Sequence, residues 1–215
     1  MKLPKRNIVG IMVMLTLSAC TGQTNRSQPQ NKSNIIVGGG CDGCEIMYHG
    51  MPLKLTPVDT SAGWRSNGQK LIVDGTAFKL DGKTPATDVI VYYWQTDHTG
   101  LYSKSKTENT IHGQMRGWVK TGKDGKFKIY TIRPASYPQS TIPAHIHFSI
   151  KEPNVGNEYY IDDLLFEDDP FLTANERTRV QERGGNGIGK IAKNGDIQYV
   201  RRDIILGKNI TDYPK

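Results

Sequence analysis

The stretch Pro143-Ala144-His145-Ile146-His147-Phe148 constrains this chain more than any other. Read as a strand, it alternates. His145, His147 and Ser149 share one face, and Ile146, Phe148 and Ile150 share the other, because strand side chains repeat every two residues. Two imidazoles side by side on an apolar strand lose hydration twice unless something shared compensates them, and a metal ion is the simplest such thing. Tyr137 stands upstream between Ser136 and Pro138. The bland alternative is a structural histidine pair. From these residues alone, zinc stays open as the ion.

Around this strand the sequence predicts more strands joined by turns. Residues 71–80 are punctuated by Asp74-Gly75, with a turn at Asp81-Gly82. Residues 89–95 form a β-branched and aromatic run, and 159–166 another. Residues 116–121 and 126–132 flank Lys123-Asp124-Gly125, and 190–192 and 197–206 flank Asn194-Gly195. Both read as hairpins. The one helix is predicted over 172–183, opened by Thr173 and closed by Gly184-Gly185. The glycine-rich string 184–189 does not follow a strand into a helix, so it reads as a mobile loop and not as a nucleotide site. The fold class expected is all-β: an antiparallel β-sandwich of immunoglobulin-like, Greek-key type, with one short helix and long loops.

The N-terminus reads differently. Lys2, Lys5 and Arg6 precede an apolar stretch, 8–17, that is too short to span a bilayer. It ends in Leu17-Ser18-Ala19-Cys20, which resembles the lipobox of bacterial lipoproteins, with Cys20 the lipidated residue. An ordinary cleaved signal or a short membrane anchor are the alternatives. The organisation expected is a signal peptide over 1–19, a polar tether over 20–37 and one domain over 38–215. The protein would then be exported and lipid-anchored to the cell envelope. Thr21, not aspartate, after the cysteine favours the outer membrane. Cys41 and Cys44 are expected to pair as a small-loop disulfide outside the cytoplasm. A redox pair or half a zinc site are the sharper alternatives. The formal net charge is +7, with three positives in the first six residues and the remaining lysines dispersed. That pattern speaks for solvated faces, and no nucleic-acid partner is expected. A homo-oligomer is left open.

Several segments, taken in order, resemble the intradiol ring-cleavage dioxygenases, whose named relatives include the catechol and protocatechuate 3,4-dioxygenases. Residues 94–102 look like the segment ending in that family's Gly-x-Tyr ligand. Residues 116–121, Asp124-Gly125 and 131–138 look like its central hairpin and second tyrosine. Pro143-Ala144-His145-Ile146-His147-Phe148 matches its histidine motif, and 166–170 and 202–206 resemble its closing strands.

The resemblance implies an Fe(III) site with Tyr102 and Tyr137 as phenolates, His145 and His147 as imidazoles, and hydroxide completing the set. The substrates implied are a catechol-type diol and O2, the product is a muconate-type diacid, and Tyr137 is the residue that takes a substrate proton. Hard anionic phenolates suit a trivalent ion. The other histidines, His49, His98 and His112, are expected at the surface or in loops. Trp94 and Trp118 are expected in the core, and Tyr92, Tyr93, Tyr130, Tyr159 and Tyr160 as ordinary packing. Three departures stand out. Ile142 occupies the place of an arginine found before the histidine motif in aromatic-degrading members, the loop between Tyr137 and His145 is short, and Asp163 stands where a glutamine is common. Arg116 and Arg133 are weak candidates for the missing cation. A second function class follows from the same departures: a lipid-anchored β-sandwich that binds iron or a catecholate without turnover.

Overall fold

The computed structural model describes residues 36–40, 43–104 and 110–214. Cys20, Cys41, the lipobox and most of the tether fall outside them. Eleven strands and one α-helix follow along the described chain. They are β1 (Val58–Thr60), β2 (Lys70–Phe78), β3 (Ile90–Gln95), β4 (Arg116–Lys120), β5 (Lys126–Ile132) and β6 (His145–Lys151). After them come β7 (Tyr159–Phe166), α1 (Ala174–Thr178), β8 (Ile188–Gly189), β9 (Ala192–Asn194), β10 (Ile197–Arg201) and β11 (Ile204–Ile205).

The strands form two sheets. One runs β1-β5-β2-β10-β9, with β11 also on β2, and the other runs β4-β3-β6-β7-β8. Each is mixed: β1–β5, β2–β10, β2–β11 and β7–β8 pair in parallel, the rest antiparallel. The all-β sandwich expected from the sequence is therefore present, with parallel pairs added. Its core interleaves Leu71, Val73, Phe127, Ile129 and Val200 of one sheet with Val91, Tyr93, Ile146, Phe148, Ile150, Ile161 and Phe166 of the other.

The second sheet is apolar on its outer face as well. Tyr92 and Trp94 of β3 are buried there against Met47, with Trp118, Tyr102 and Tyr160 packed beside them. The covering comes from a short turn of helix, Cys44–Tyr48, whose Met47 carbonyl accepts a bond from Trp118 Nε1 at 2.6 Å. Cys44 is disulfide-bonded, and its Sγ lies 3.3 Å from Ser149 Oγ. The covered outer face is the one that carries His145 and His147.

Four expectations change. The 116–121 and 126–132 segments do not form a hairpin, because β4 pairs with β3 while β5 pairs with β2 and β1. The turn chemistry is as expected, with Gly125 at φ +72° and its N–H bonded to Gly122 O at 2.9 Å, but this turn carries the chain from one sheet to the other. The helix is only Ala174–Thr178, capped by Thr173, and buries none of its residues, so no apolar face extends it. The string 184–189 is not a free loop. It enters β8, and the Gly184 and Asn186 carbonyls accept bonds from Arg202 Nη1 at 3.3 and 3.0 Å.

Asp74-Gly75 does not interrupt β2, which runs straight through it. A Cβ on Gly75 would lie 2.0 Å from Arg202 O and 2.7 Å from the Phe127 ring, so the glycine admits a crossing chain instead of a turn. Gly75→Ala is expected to destabilise the fold by about 1–3 kcal/mol, read as a lowered midpoint in denaturant unfolding.

Candidate metal centre

Two long connections reach the outer face of β6. The link from β3 to β4 carries Tyr102, and the link from β5 to β6 carries Tyr137. They are joined near their starts: Ala135 N–H donates to Asp97 O at 3.1 Å, and Thr96 Oγ1 donates to Ala135 O at 2.7 Å. Asp97 Oδ1 accepts from Thr99 N at 2.8 Å and closes the turn before Tyr102. Gly100, at φ +82°, sits so near the other loop that a Cβ would lie 2.1 Å from Ser136 O. The two tyrosine loops are thus held backbone to backbone.

Four side chains converge there. Tyr102 Oη lies 2.8 Å from Tyr137 Oη and 2.9 Å from His147 Nε2. Tyr137 Oη lies 3.3 Å from His145 Nε2, and the two Nε2 atoms are 3.1 Å apart. The outer nitrogen of His145 decides its tautomer. His145 Nδ1 is 2.7 Å from the Pro143 carbonyl, so it must be the protonated nitrogen. His147 Nδ1 lies 2.9 Å from Asp163 Oδ1 and 2.5 Å from Tyr160 Oη. His145 Nε2 therefore presents a lone pair towards His147 Nε2, an approach that a shared cation or proton makes favourable. The four ligands expected from the sequence are brought together, and their chemistry fits a hard trivalent ion.

The electrostatics agree. Burial, then the charge of His147, pushes His145 down, which keeps it neutral and able to ligate. Burial, then the bond to Tyr137, holds Tyr102 above the usual phenol range, so ionisation there needs a cation. Burial acts to raise Asp163, but the charge and hydrogen bond of His147 outweigh it and the net shift is downward.

The surroundings hold residues whose role was not legible. Trp94 stacks on His147 with ring centres 4.8 Å apart. Behind it His112 lies nearly parallel, 4.1 Å away at 4°. His112 lies in a loop, as expected, but is buried against this stack and not at the surface. Its Nδ1 is 2.9 Å from Tyr92 Oη. Tyr160 is not ordinary packing either, since its hydroxyl donates to Asp163 Oδ1 at 2.5 Å.

A cavity of about 310 Å³ opens beside Tyr137 and His145. Ile142, Pro143, Leu165 and Val180 give it apolar walls, and Asp162, Asp163, Glu176 and Arg179 its charges. Neither candidate arginine lines it. Arg133 makes a two-pronged bond to Asp168 at 2.9 and 2.7 Å over the Phe166 ring. Arg116 is buried and donates to His49 O at 2.9 Å, with its guanidinium over Trp118. The cavity's own guanidinium, Arg179, bonds Glu176 at 2.9 Å.

A family model described as Dioxygenase matches residues 46–184. Curated relatives include catechol 1,2-dioxygenase 1 of Acinetobacter lwoffii, 29% identical over 166 residues, covering 65% of this chain and 53% of that protein. Another is 6-chlorohydroxyquinol 1,2-dioxygenase of Cupriavidus pinatubonensis, 28% identical over 178 residues, covering 75% and 60%. The chain spans between about half and three fifths of the length of these relatives. Among solved structures, the dioxygenase domain of a carbohydrate-binding fusion from Streptomyces sp. SirexAA-E superposes with TM-score 0.55 at 24% identity, over 73% of this chain and 91% of that one. Hydroxyquinol 1,2-dioxygenase of Pseudomonas putida gives 0.55 at 22%, over 73% and 61%. At these identities the structures speak to the fold.

His112 generates a pH prediction. Burial, then the charges of His147 and Arg116, lowers it from an ordinary 6.5 to about 4. The unfolded chain then binds a proton that the folded chain refuses, so the contribution of His112 is intact above pH 6.5 and is lost as pH falls towards 4. Thermal midpoints of the metal-free protein should fall across that window, and His112→Phe should flatten part of the slope.

Proposed function

The chain belongs to the intradiol ring-cleavage dioxygenase family, and we propose that it cleaves a catechol-type ring between its two hydroxyl-bearing carbons, using ferric iron and O2, to give a muconate-type diacid. The observation that carries this reading is the meeting of two imidazole nitrogens and two phenol oxygens beside a cavity sized for a small aromatic ring.

In this reading Tyr102, Tyr137, His145 and His147 hold the ion. Bound ferric iron supplies a Lewis acid that draws electron density from a catecholate, so that a ring carbon can react with O2. The protein's part is placement and proton transfer. Tyr137 and His145 form the wall that the diol oxygens meet. Tyr137 Oη, held by hydrogen bonds from two sides, is the proton acceptor for an incoming hydroxyl. Ile142, Pro143, Leu165 and Val180 offer the ring apolar contact. Support for the reaction also comes from the relatives' names, which describe 1,2-dioxygenases acting on catechol and hydroxyquinol derivatives.

The test is a visible spectrum of the protein loaded with ferric iron, before and after catechol is added under air. A tyrosinate-to-iron band that shifts with catechol and is followed by O2 uptake is expected. Tyr137→Phe should lower the rate at least about a hundredfold, the usual scale of a lost general base. Colour without O2 uptake would instead make the protein a catecholate-binding module, and absence of colour would refute the site.

The charges of the cavity favour an uncharged ring. Among the described residues, three carboxylates line it, and the one guanidinium is already bonded to one of them. Catechol should therefore outcompete 3,4-dihydroxybenzoate by roughly tenfold or more in kcat/KM, since juxtaposed like charges repel. Equal or better use of the benzoate would refute this selectivity while leaving the reaction standing.

A further inference from the structure

β7 is irregular beside the site. Ile146 of β6 faces Leu164, but Phe148 faces Ile161, so His147 stands opposite two residues, Asp162 and Asp163. That is a β-bulge, which inserts one residue and rotates the next ones to the other face. Tyr160 and Asp163 are three apart, so strict alternation would place them on opposite faces. With the bulge both reach His147 on the outer face.

The bulge is supported where its own pairing is broken. Asp162 N–H donates to Arg183 O at 3.0 Å, and Asp162 O accepts from Arg202 Nη2 at 3.0 Å. Arg202 is 1% exposed and also holds the carbonyls of Gly184, Asn186 and Asp203. A buried guanidinium with this set of partners is costly to place unless the groups it satisfies matter.

The two imidazoles are then not equivalent. His145 Nδ1 meets a neutral carbonyl at 2.7 Å, whereas His147 Nδ1 meets a carboxylate at 2.9 Å. Asp163 could be taken for a ligand itself, since a donor atom of it lies within 4.8 Å of one on each histidine. The geometry points elsewhere: its Oδ1 contacts the outer nitrogen of His147, on the side of the ring away from the converging Nε2 atoms.

We propose that Asp163 is an anionic positioning residue, aimed by the bulge, that holds His147 in the Nδ1–H form and makes it the more strongly donating of the two imidazoles. A carboxylate behind a ligating imidazole fixes its tautomer and raises its basicity. Tyr160, bonded to the same oxygen, tempers that charge, and Trp94 fixes the plane of the ring. The part of the proposal that concerns metal binding rests on the ferric-site reading, and the tautomer part does not.

The test has two arms. In the metal-free protein, nitrogen NMR should find His147 protonated at Nδ1, and Asp163→Ala should return it to the Nε2–H form that predominates in free histidine. An Nε2–H form in the unaltered protein, or no change in the variant, overturns the proposal even if the protein binds no iron, an outcome that would refute the ferric reading alone. In the second arm, Asp163→Asn should weaken ferric binding roughly ten- to hundredfold and move the tyrosinate-to-iron band to longer wavelength. Binding and colour both unchanged overturn the proposal. Should Asp163→Asn fail to fold, Tyr160→Phe carries this arm. With its second partner gone, the carboxylate acts on His147 alone and the band should move to shorter wavelength, and an unmoved band overturns the proposal.

Discussion

A strand whose one face lies in a sandwich core can carry chemistry only on the other, and β6 is such a strand. Ile146, Phe148 and Ile150 are fully buried between the sheets. They pin the strand, and because side chains alternate they also fix the direction of His145 and His147. The imidazoles cannot turn inwards without pulling apolar residues out, at a cost of about 1.5–3 kcal/mol for each one exposed. Everything else in the site comes to them. The tyrosines arrive on loops joined through Ala135 and Asp97, and the outer face is covered by the segment around Met47 and by the Trp94–His112 stack.

The site is therefore rigid on its histidine side and assembled on its tyrosine side. His145 and His147 sit on a strand flanked by two others, with their outer nitrogens bonded. Tyr102 and Tyr137 depend on the close approach of two loops, which the absence of a Cβ at Gly100 allows. Under the proposed reaction, this division would let one phenol exchange protons while the imidazoles hold still. The bulge in β7 belongs to the rigid side, where it spends strand pairing, and one buried arginine, on setting the partner of a single ring nitrogen.

Much of this was legible in sequence because it is local. The alternation of 145–150, the strand runs and the turn residues are statements about neighbours along the chain, and the structure keeps them. What was misread is non-local. Lys123-Asp124-Gly125 is a tight turn by its residues, but whether its flanks pair depends on which strands are already beside them. Gly75 read as a break because glycine serves both a turn and a close approach, and only the crossing of the Arg202 backbone distinguishes the two. His112 and Tyr160 looked ordinary because nothing near them in sequence shows that Trp94 and Asp163 lie against them.

By itself, the sequence determined the all-β class, the strand that presents two imidazoles on one face and, through the order of its motifs, the four candidate ligands. The class and the histidine strand follow from side-chain periodicity and residue chemistry, which do not depend on the rest of the chain, whereas Tyr102 and Tyr137 were singled out only by the resemblance to the intradiol ring-cleavage dioxygenases. Only the tertiary structure decided the sheet partners, the burial of His112, the acidic cavity whose one guanidinium is bonded to Glu176, and the turning of Asp163 onto His147. A one-residue bulge reverses which face a side chain occupies, and it is set by pairing across the sheet and by Arg202, some forty residues away, not by the residues on either side.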